Sequence, residues 1–307
     1  MILIITFNLA IDKVLFVDEF KPFSENRVKV LSSLPGGKGV NVARCLRSLY
    51  KTSTIAGFIG GYNGGFIKEG LKKEKIGSIL VEIENENRIC NILLDSSGKI
   101  TEIYEVGPEI KEEKVQELIN EIKKREESFQ YIVISGSIPK GINENHIFEI
   151  LEIFKDRKIF LDIHGEILIK ILEKFEIFFL KINENEFKKT FNASLLSKNL
   201  LINIFKNYKI CLPVITLGEK GAIFLYKENL YKITTDYKVK IVNPVGAGDS
   251  FMGGFVYGID EGMNIFDALK YGTSASISNL SFFEGGKVNK EDIENIFNKI
   301  NILLMEE

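Results

Sequence analysis

The sequence is poor in the residues that build metal sites and disulfides. It has two histidines, His146 and His164, and neither has clustered partners at metal-ligand spacing. A structural role suits both better than ligation. It has three cysteines, Cys45, Cys90 and Cys211, an odd number at wide spacings. That pattern offers no disulfide framework and no zinc motif, and it points to a reducing compartment. An excess of either charge is also missing. Forty basic residues against 42 acidic ones leave a formal charge of −2, which argues against a general nucleic-acid binder but not against a local anion site. No apolar run reaches the roughly 18 residues of a membrane span. The opening "MILIITFNLAIDK" is apolar, yet no basic segment precedes it, Asp12 interrupts it and no small-residue cleavage site follows. It reads as a first buried strand rather than a signal peptide. A cytoplasmic protein without membrane or nucleic-acid partners is expected. Linkers, low-complexity tracts and repeats are absent too, and a length of 307 residues suits roughly two domains or one large α/β domain with an accessory piece.

What is present is an alternation. Short β-rich runs recur at Ile2–Phe7, Thr54–Ile59, Tyr131–Ser135, Ile159–Ile163, Ile177–Ile182, Pro213–Leu217 and Ala222–Tyr226. Helical spacing fills several gaps between them. Val115, Leu118, Ile119 and Ile122 make one stripe; Ile147, Ile150, Leu151 and Phe154 make another. Such a rhythm implies an α/β fold, a mostly parallel sheet with helices on both faces. Ligands on these sheets sit beyond the carboxyl ends of the strands. Two regions break the rhythm, residues 12–34 and 86–106. In 86–106, "DSSG" separates two alternating runs, the pattern of a hairpin. Both regions could form a small additional sheet projecting from the main domain, or ordinary edge strands. Lys290–Leu304 carries Ile293, Ile296, Phe297, Ile300 and Leu304 at helical spacing and reads as a packing helix.

Four stretches could carry chemistry. In "NPVGAGDSFMGGF", Asn-Pro ends an extended segment, and Phe251, Met252, Phe255 and Val256 then mark one face of a helix. The small residues Gly246, Ala247 and Gly248 let backbone N–H groups approach an anion at the helix start. Asp249 would repel a phosphate there, so it makes sense as a base that takes a proton from an attacking hydroxyl. It could equally be an N-cap. In "PGGKGVNVAR", Gly36, Gly37 and Gly39 bracket Lys38 without the spacing of a Walker A loop. A cation in a Gly-rich turn at a helix start would suit a substrate phosphate; a flexible turn with an exposed lysine is the alternative. "ITLGEKGAIFLY" reads strand, turn, strand, either a wall for a nucleotide or a plain hairpin. "LKINENEF" puts Asn183 and Glu186 at the end of a buried strand, where they could order metal-bound water or cap a helix.

Together these stretches resemble the ribokinase-like (PfkB) sugar kinases along nearly the whole chain. "GGKGVNVA" and "NPVGAGDSFMGGF" are similar to the two family signatures, in order and separation. "TFNLAID", "FIGG", "SGSIPKG", "KINENEF" and "TLGEKGA" resemble the landmarks between them. "GGKG", "NRICN" and "TEIYEVGPEI" resemble the branch that phosphorylates ketohexose phosphates, which contains the 1-phosphofructokinases and the tagatose-6-phosphate kinases. The resemblance implies a Rossmann-like domain with a small β-sheet lid, formed here by about 12–34 and 86–106, that often mediates a homodimer. It implies ATP and Mg2+, the metal held mainly through ATP phosphates and water. Asp249 then matches the catalytic base, with Gly246, Ala247 and Gly248 as the anion hole. Asp12, Gly37, Lys38, Asn41 and Arg88 match sugar-phosphate contacts, joined by Ser137. Asn183 and Glu186 match residues that organise metal and phosphate, and Lys181, Thr216, Gly218, Gly221 and Asn279 match nucleotide-side positions. The chain departs from the family at Leu9 and Ile182, where proline is usual or frequent; both changes alter backbone restraint, not a reacting group. Two substrates are open. Pro35 and "VGAGDS" lean to fructose 1-phosphate, Asn243-Pro244 leans to tagatose 6-phosphate, and "GPEI" does not decide. The balance favours fructose 1-phosphate. A catalytically silent sugar or nucleotide sensor on the same fold is the reading from another class.

Overall fold

A computed structural model describes residues 1–193 and 198–305. Its strands are β1 (Ile2–Ile5), β2 (Ala10–Val17), β3 (Lys29–Gly36), β4 (Ser53–Gly60), β5 (Gly77–Ile83), β6 (Arg88–Asp95), β7 (Ile100–Tyr104), β8 (Tyr131–Ser135), β9 (Lys158–Asp162), β10 (Ile177–Asn183), β11 (Ile210–Thr216), β12 (Ala222–Tyr226), β13 (Asn229–Thr234) and β14 (Asn301–Leu304). Its helices are α1 (Lys38–Ser48), α2 (Gly61–Lys73), α3 (Glu112–Lys123), α4 (Glu144–Ile153), α5 (Glu166–Lys174), α6 (Glu184–Phe191), α7 (Lys198–Lys206), α8 (Ala247–Asp260), α9 (Ile265–Asn279) and α10 (Lys290–Phe297).

Among the described residues the large sheet runs β14-β13-β12-β11-β10-β9-β8-β1-β4-β5. Pairing is parallel from β11 to β5 and antiparallel across β12, β13 and β14. β1 shows why the sheet must be covered twice. All four of its residues are buried, with Ile2 and Ile4 in one apolar core and Leu3 and Ile5 in the other. An aliphatic run buried on both sides is what a central parallel strand requires. The first core holds side chains of α1, α8, α9 and α10; the other holds those of α3, α4, α5 and α6. The expected α/β architecture is met.

A separate sheet runs β3-β2-β6-β7. β2 pairs antiparallel with β3 and parallel with β6, and β6 turns back into β7 through Ser96, Ser97 and Gly98. Its own core is small: Val14, Ile92 and Leu94, with Leu31, Ile100 and Val245 against them.

The expected C-terminal packing helix is corrected. α10 stops at Phe297, a turn follows, and β14 pairs with β13 from Thr234↔Asn301 to Tyr231↔Leu304. Ile293, Ile296 and Ile300 do reach the core, so the apolar spacing holds through the turn. The open edge of β13 then decides the conformation of the last residues, because an unpaired strand edge offers a row of backbone hydrogen bonds.

Two features place the site. The chain runs from β1 outward to β4 and β5, then returns to the other side of β1 with β8, so the sheet has a switch point between β1 and β8. A crevice forms at the carboxyl ends there. In addition, α8 and α9 approach almost backbone to backbone. A side chain at Gly254 would meet Ala275 Cβ at 2.6 Å and Gly272 Cα at 3.0 Å. That close packing holds the N-terminus of α8 over the crevice.

Candidate active site

Asp249 is not the cap of α8. Gly246 is, with φ of 87°, and it has no side-chain partner. A side chain at Gly246 would also lie 2.6 Å from Gly285 Cα, so both backbone angle and space require glycine. Asp249 lies in the first turn and is 6% exposed. Its Oδ2 accepts a 2.9 Å hydrogen bond from Asn41 Nδ2 of α1, 208 residues away in sequence. Burial pushes its carboxyl up to about 6; Lys181 opposes the rise, Asp162 adds to it, and Lys38 and the Asn41 amide oppose it again. Of the three small residues before it, Ala247 turns its N–H to the Pro244 carbonyl. With no cap side chain, the first turn of α8 still leaves amides for an anion.

Beside Asp249 lies a cluster of four charges. Lys181 at the end of β10 is 4% exposed and Asp162 at the end of β9 is 1% exposed. Lys181 Nζ donates to Asp162 Oδ2 at 2.6 Å, and Lys38 Nζ donates to Asp162 Oδ1 at 3.1 Å and to Glu186 Oε1 at 3.0 Å. Burial alone would raise the Asp162 carboxyl, but Lys181 and then Lys38 hold it down at about 2. Burial would lower the Lys38 ammonium; Asp162, Glu186 and Asp249 outweigh it and hold it above its ordinary value. Glu186 is held below the usual carboxylate value, chiefly by Lys38 against burial. A side chain at Gly248 would sit 3.1 Å from Lys181 Nζ, so this ammonium lies directly under the first turn of α8.

The nucleotide-side candidates line an open cavity of about 370 Å3 at the carboxyl ends of β10 and β11. Asn183, Glu186, Thr216 and Gly218 are in its wall. Asn183 and Glu186 form a reciprocal cap on α6: Asn183 Oδ1 accepts from the Glu186 N–H, and Glu186 Oε2 accepts from the Asn183 N–H. The capping reading is therefore realised, while Oε1 of the same carboxylate is left for Lys38. Gly221 closes the turn below, with φ of 89°, and a side chain there would collide with the Ile233 carbonyl. Asn279 is fully buried and donates to the carbonyls of Glu284 and Lys287. It shapes the loop that packs against Gly246 rather than the cavity wall.

The sugar-side candidates gather at the switch point and under the small sheet. Asp12 on β2 accepts from the Gly37 N–H at 3.3 Å. Burial raises its carboxyl, opposed by Arg44, the Gly37 amide, Arg88 and Asn41. Arg88 begins β6, and its buried Nε has no hydrogen-bond partner among the described residues. Ser137 Oγ accepts from Asn8 Nδ2 at 2.9 Å across the β1–β8 junction. Lys38 and Arg88, both matched to sugar-phosphate contacts, have different neighbours: Lys38 faces Asp162 and Glu186, and Arg88 faces Asp12.

Among the described residues, no group of three or more His, Cys, Asp or Glu side chains could hold a metal alone, and no helix is long and apolar enough to cross a membrane. Residues 1–281 match the family described as pfkB family carbohydrate kinase. The chain belongs to this family. It is 32% identical over 306 residues to 1-phosphofructokinase of Borreliella burgdorferi, covering 98% of each chain. It is 30% identical over 318 residues to tagatose-6-phosphate kinase of Staphylococcus epidermidis, covering 99% of each. A Thermotoga maritima structure described as a possible 1-phosphofructokinase superposes with a TM-score of 0.87 at 26% identity, with 99% of both chains covered.

In this carbohydrate kinase the fold brings to the site several residues that local sequence patterns do not mark. Asp162 is the chief one. Its signal was an acid ending the apolar run "KIFLDIHG", at a strand end where ligands bind. His164 and Lys189 line the cavity, and His164 Nδ1 lies 3.6 Å from Glu186 Oε1. Nothing in their local spacing marked them. Arg44 and Asn8 lie within the motifs quoted above, yet only contacts across the chain single them out.

Proposed function

We propose that this kinase transfers the γ-phosphoryl group of ATP to a primary hydroxyl of a phosphorylated ketohexose, with fructose 1-phosphate preferred over tagatose 6-phosphate. The observation that carries the reading is Asp249, a buried carboxylate raised to about 6 in the first turn of a helix without a side-chain cap. A base with that value is mostly ionised at neutral pH and still accepts a proton. Sugar phosphates are the substrates named for both curated relatives, which supports the acceptor class.

The residues present fit a nucleotide and its metal. The cavity is open, polar and at strand ends, and the ion-paired Lys181 and Lys38 and the α8 amides supply N–H donors beside it. Asp249 removes the proton from the sugar hydroxyl as that oxygen bonds to the γ-phosphorus, and the bond to the ADP oxygen breaks. Lys181 and the Gly248 and Asp249 amides offset charge on the group in transit. Mg2+, when bound with ATP, would neutralise phosphate charge while keeping several waters, with Asn183 and Glu186 nearby. Arg88, Lys38, Asp12, Gly37, Asn41 and Ser137 would hold the sugar phosphate.

The small sheet would act as a lid that excludes water from this crevice. Val30, Ile103 and Tyr104 stay exposed on its strands, which supports a homodimer formed through the lid. Unpaired Cys45, Cys90 and Cys211 suit a reducing, cytoplasmic setting.

The test is ADP release with the two sugar phosphates side by side. A higher kcat/KM for fructose 1-phosphate is expected. The reverse order would replace it with tagatose 6-phosphate. No turnover with either would favour the silent sensor.

A further inference from the structure

Arg44 is a buried guanidinium on α1, and all five of its N–H donors are engaged. Nε and one Nη2 hydrogen grip the Glu74 carboxylate at 2.6 and 2.9 Å. The other Nη2 hydrogen goes to the Pro35 carbonyl at 2.6 Å. Nη1 donates to the Gly285 carbonyl at 2.6 Å and to Asn41 Oδ1 at 3.0 Å. Glu74 caps the far end of α2, Pro35 opens the Gly-rich turn, and Gly285 belongs to the loop against which Gly246 packs. One planar fork thus fastens four segments. A planar, permanently charged group with fixed donor directions is suited to that; a lysine is not.

The bond to Asn41 has a consequence at the reacting end. An amide side chain presents an acceptor at one edge and two donors at the other. With Oδ1 bound to Arg44, the NH2 must face the other way, and there it meets Asp249. Asn41 also steadies the ionised form of Asp12. A flipped amide would set an oxygen against these acids. Gly285 packs on the same amide, and a side chain there would begin only 3.1 Å from Asn41 Nδ2.

We propose that Arg44, anchored by Glu74, is a positioning residue for phosphoryl transfer: it fixes the Asn41 amide so that it donates to the Asp249 carboxylate, and it ties the 284–287 loop to the same point. The inference rests on Asp249 being the base of the proposed reaction. Asp249 also faces Lys38 from α1, Asp162 from β9 and Lys181 from β10, with the Cys45 thiol behind it. Of these influences, only the Asn41 bond depends on Arg44. Losing it removes a donor to the ionised form, so the Asp249 carboxyl moves up.

The test combines Arg44→Lys, Asn41→Ala, the double variant and the milder Glu74→Gln. Two quantities are read: kcat as a function of pH with saturating sugar phosphate, and the Asp249 midpoint by carboxyl-carbon NMR in the free protein. That resonance is assigned by its loss in Asp249→Asn. Arg44→Lys should lower kcat at pH 7 about tenfold and raise the Asp249 midpoint by about one unit, with KM for ATP little changed. Glu74→Gln should move both the same way by less, and it carries the test if Arg44→Lys does not fold. On the Asn41→Ala background, Arg44→Lys should add less than about twofold, since residues acting as one unit are not additive. Multiplying effects together with an unmoved midpoint would overturn the proposal. A shifted midpoint in a protein inert towards both sugar phosphates would overturn the substrate reading and leave standing only the coupling of Arg44 through Asn41 to Asp249.

Discussion

On the β9–β10 side of the crevice, four charges answer one another: Lys181 and Lys38 against Asp162 and Glu186, at 2.6 to 3.1 Å. On the β1–β2–β6 side, Asn8 Oδ1 and Arg88 Nε are buried without a hydrogen-bond partner among the described residues. The β9–β10 side is complete before any ligand arrives. Its dipoles and charges need not reorganise when charge moves, the property that makes electrostatic catalysis effective. The β1–β2–β6 side leaves polar groups desolvated and unpaired, a state that costs free energy and that a polyhydroxy, phosphorylated ligand would relieve. One side is prepared for charge in motion; the other selects the molecule. Asp249 and Asn41 lie on the seam between them.

The largest effect should come from the seam. Asp249→Asn should lower turnover by roughly 10²–10⁴-fold while keeping near-native thermal stability and MgATP binding, checked by melting and by calorimetric titration. Wild-type turnover in that variant would reduce Asp249 to a structural acid. In the wild type, kcat/KM should fall about tenfold per pH unit as pH drops below about 6, where the base takes its proton.

Breaking the paired side should cost stability instead. Asp162→Asn strands Lys181 in the interior and should lower unfolding free energy by about 3 kcal/mol, read by urea denaturation. Asp162 goes from an ordinary value of 3.8 to about 2 in the fold. Its contribution is therefore full above about pH 4 and is lost as pH falls toward 2. The variant should lack that part of the acid sensitivity. Equal stability of variant and wild type at pH 7 would contradict the pairing argument.

Breaking the unpaired side should alter recognition. Arg88→Ala should raise KM for the sugar phosphate about tenfold to a hundredfold, the size of a lost charge-assisted bond, and leave KM for ATP nearly unchanged. Lys38→Ala should raise the sugar-phosphate KM too, but also disturb ATP, because it releases Glu186 and Asp162. Identical profiles in both variants would erase the difference between the two sides.

The smallest effect belongs to the cap. Asn183→Ala removes the Asn183 half of a reciprocal cap and should lower stability by about 1 kcal/mol, seen as a small fall in Tm with a modest rise in KM for ATP. A large loss of kcat would mean that Asn183 acts on the reacting groups.

Much of the α/β rhythm was legible because it is local. β1, β8, β9 and β10 are apolar runs bounded by polar residues, and α3 and α4 carry their stripes at 3.6-residue spacing. α10 and β14 mark where local reading stopped, since Ile300 fits a helix and a turn equally well. The candidate site divides in the same way. Gly37, Lys38, Gly246 and Asp249 announce themselves as glycine-rich turns at helix starts, whose shape depends on a few neighbouring torsions. Asp162, Arg44, Asn8 and Arg88 do not: Asp162 is distinguished by partners 19 and 124 residues away, Asn8 by one 129 away and Arg44 by one 241 away, and Arg88 by an Nε without a partner among the described residues. By itself the chain determined where its backbone could turn tightly and which segments had to be buried, since torsional freedom and apolar spacing are properties of adjacent residues. Only the tertiary structure decided which charges were neutralised and which polar atoms were left open. Pairing and desolvation depend on distance in space, and the sheet brings together strand ends that the sequence keeps far apart.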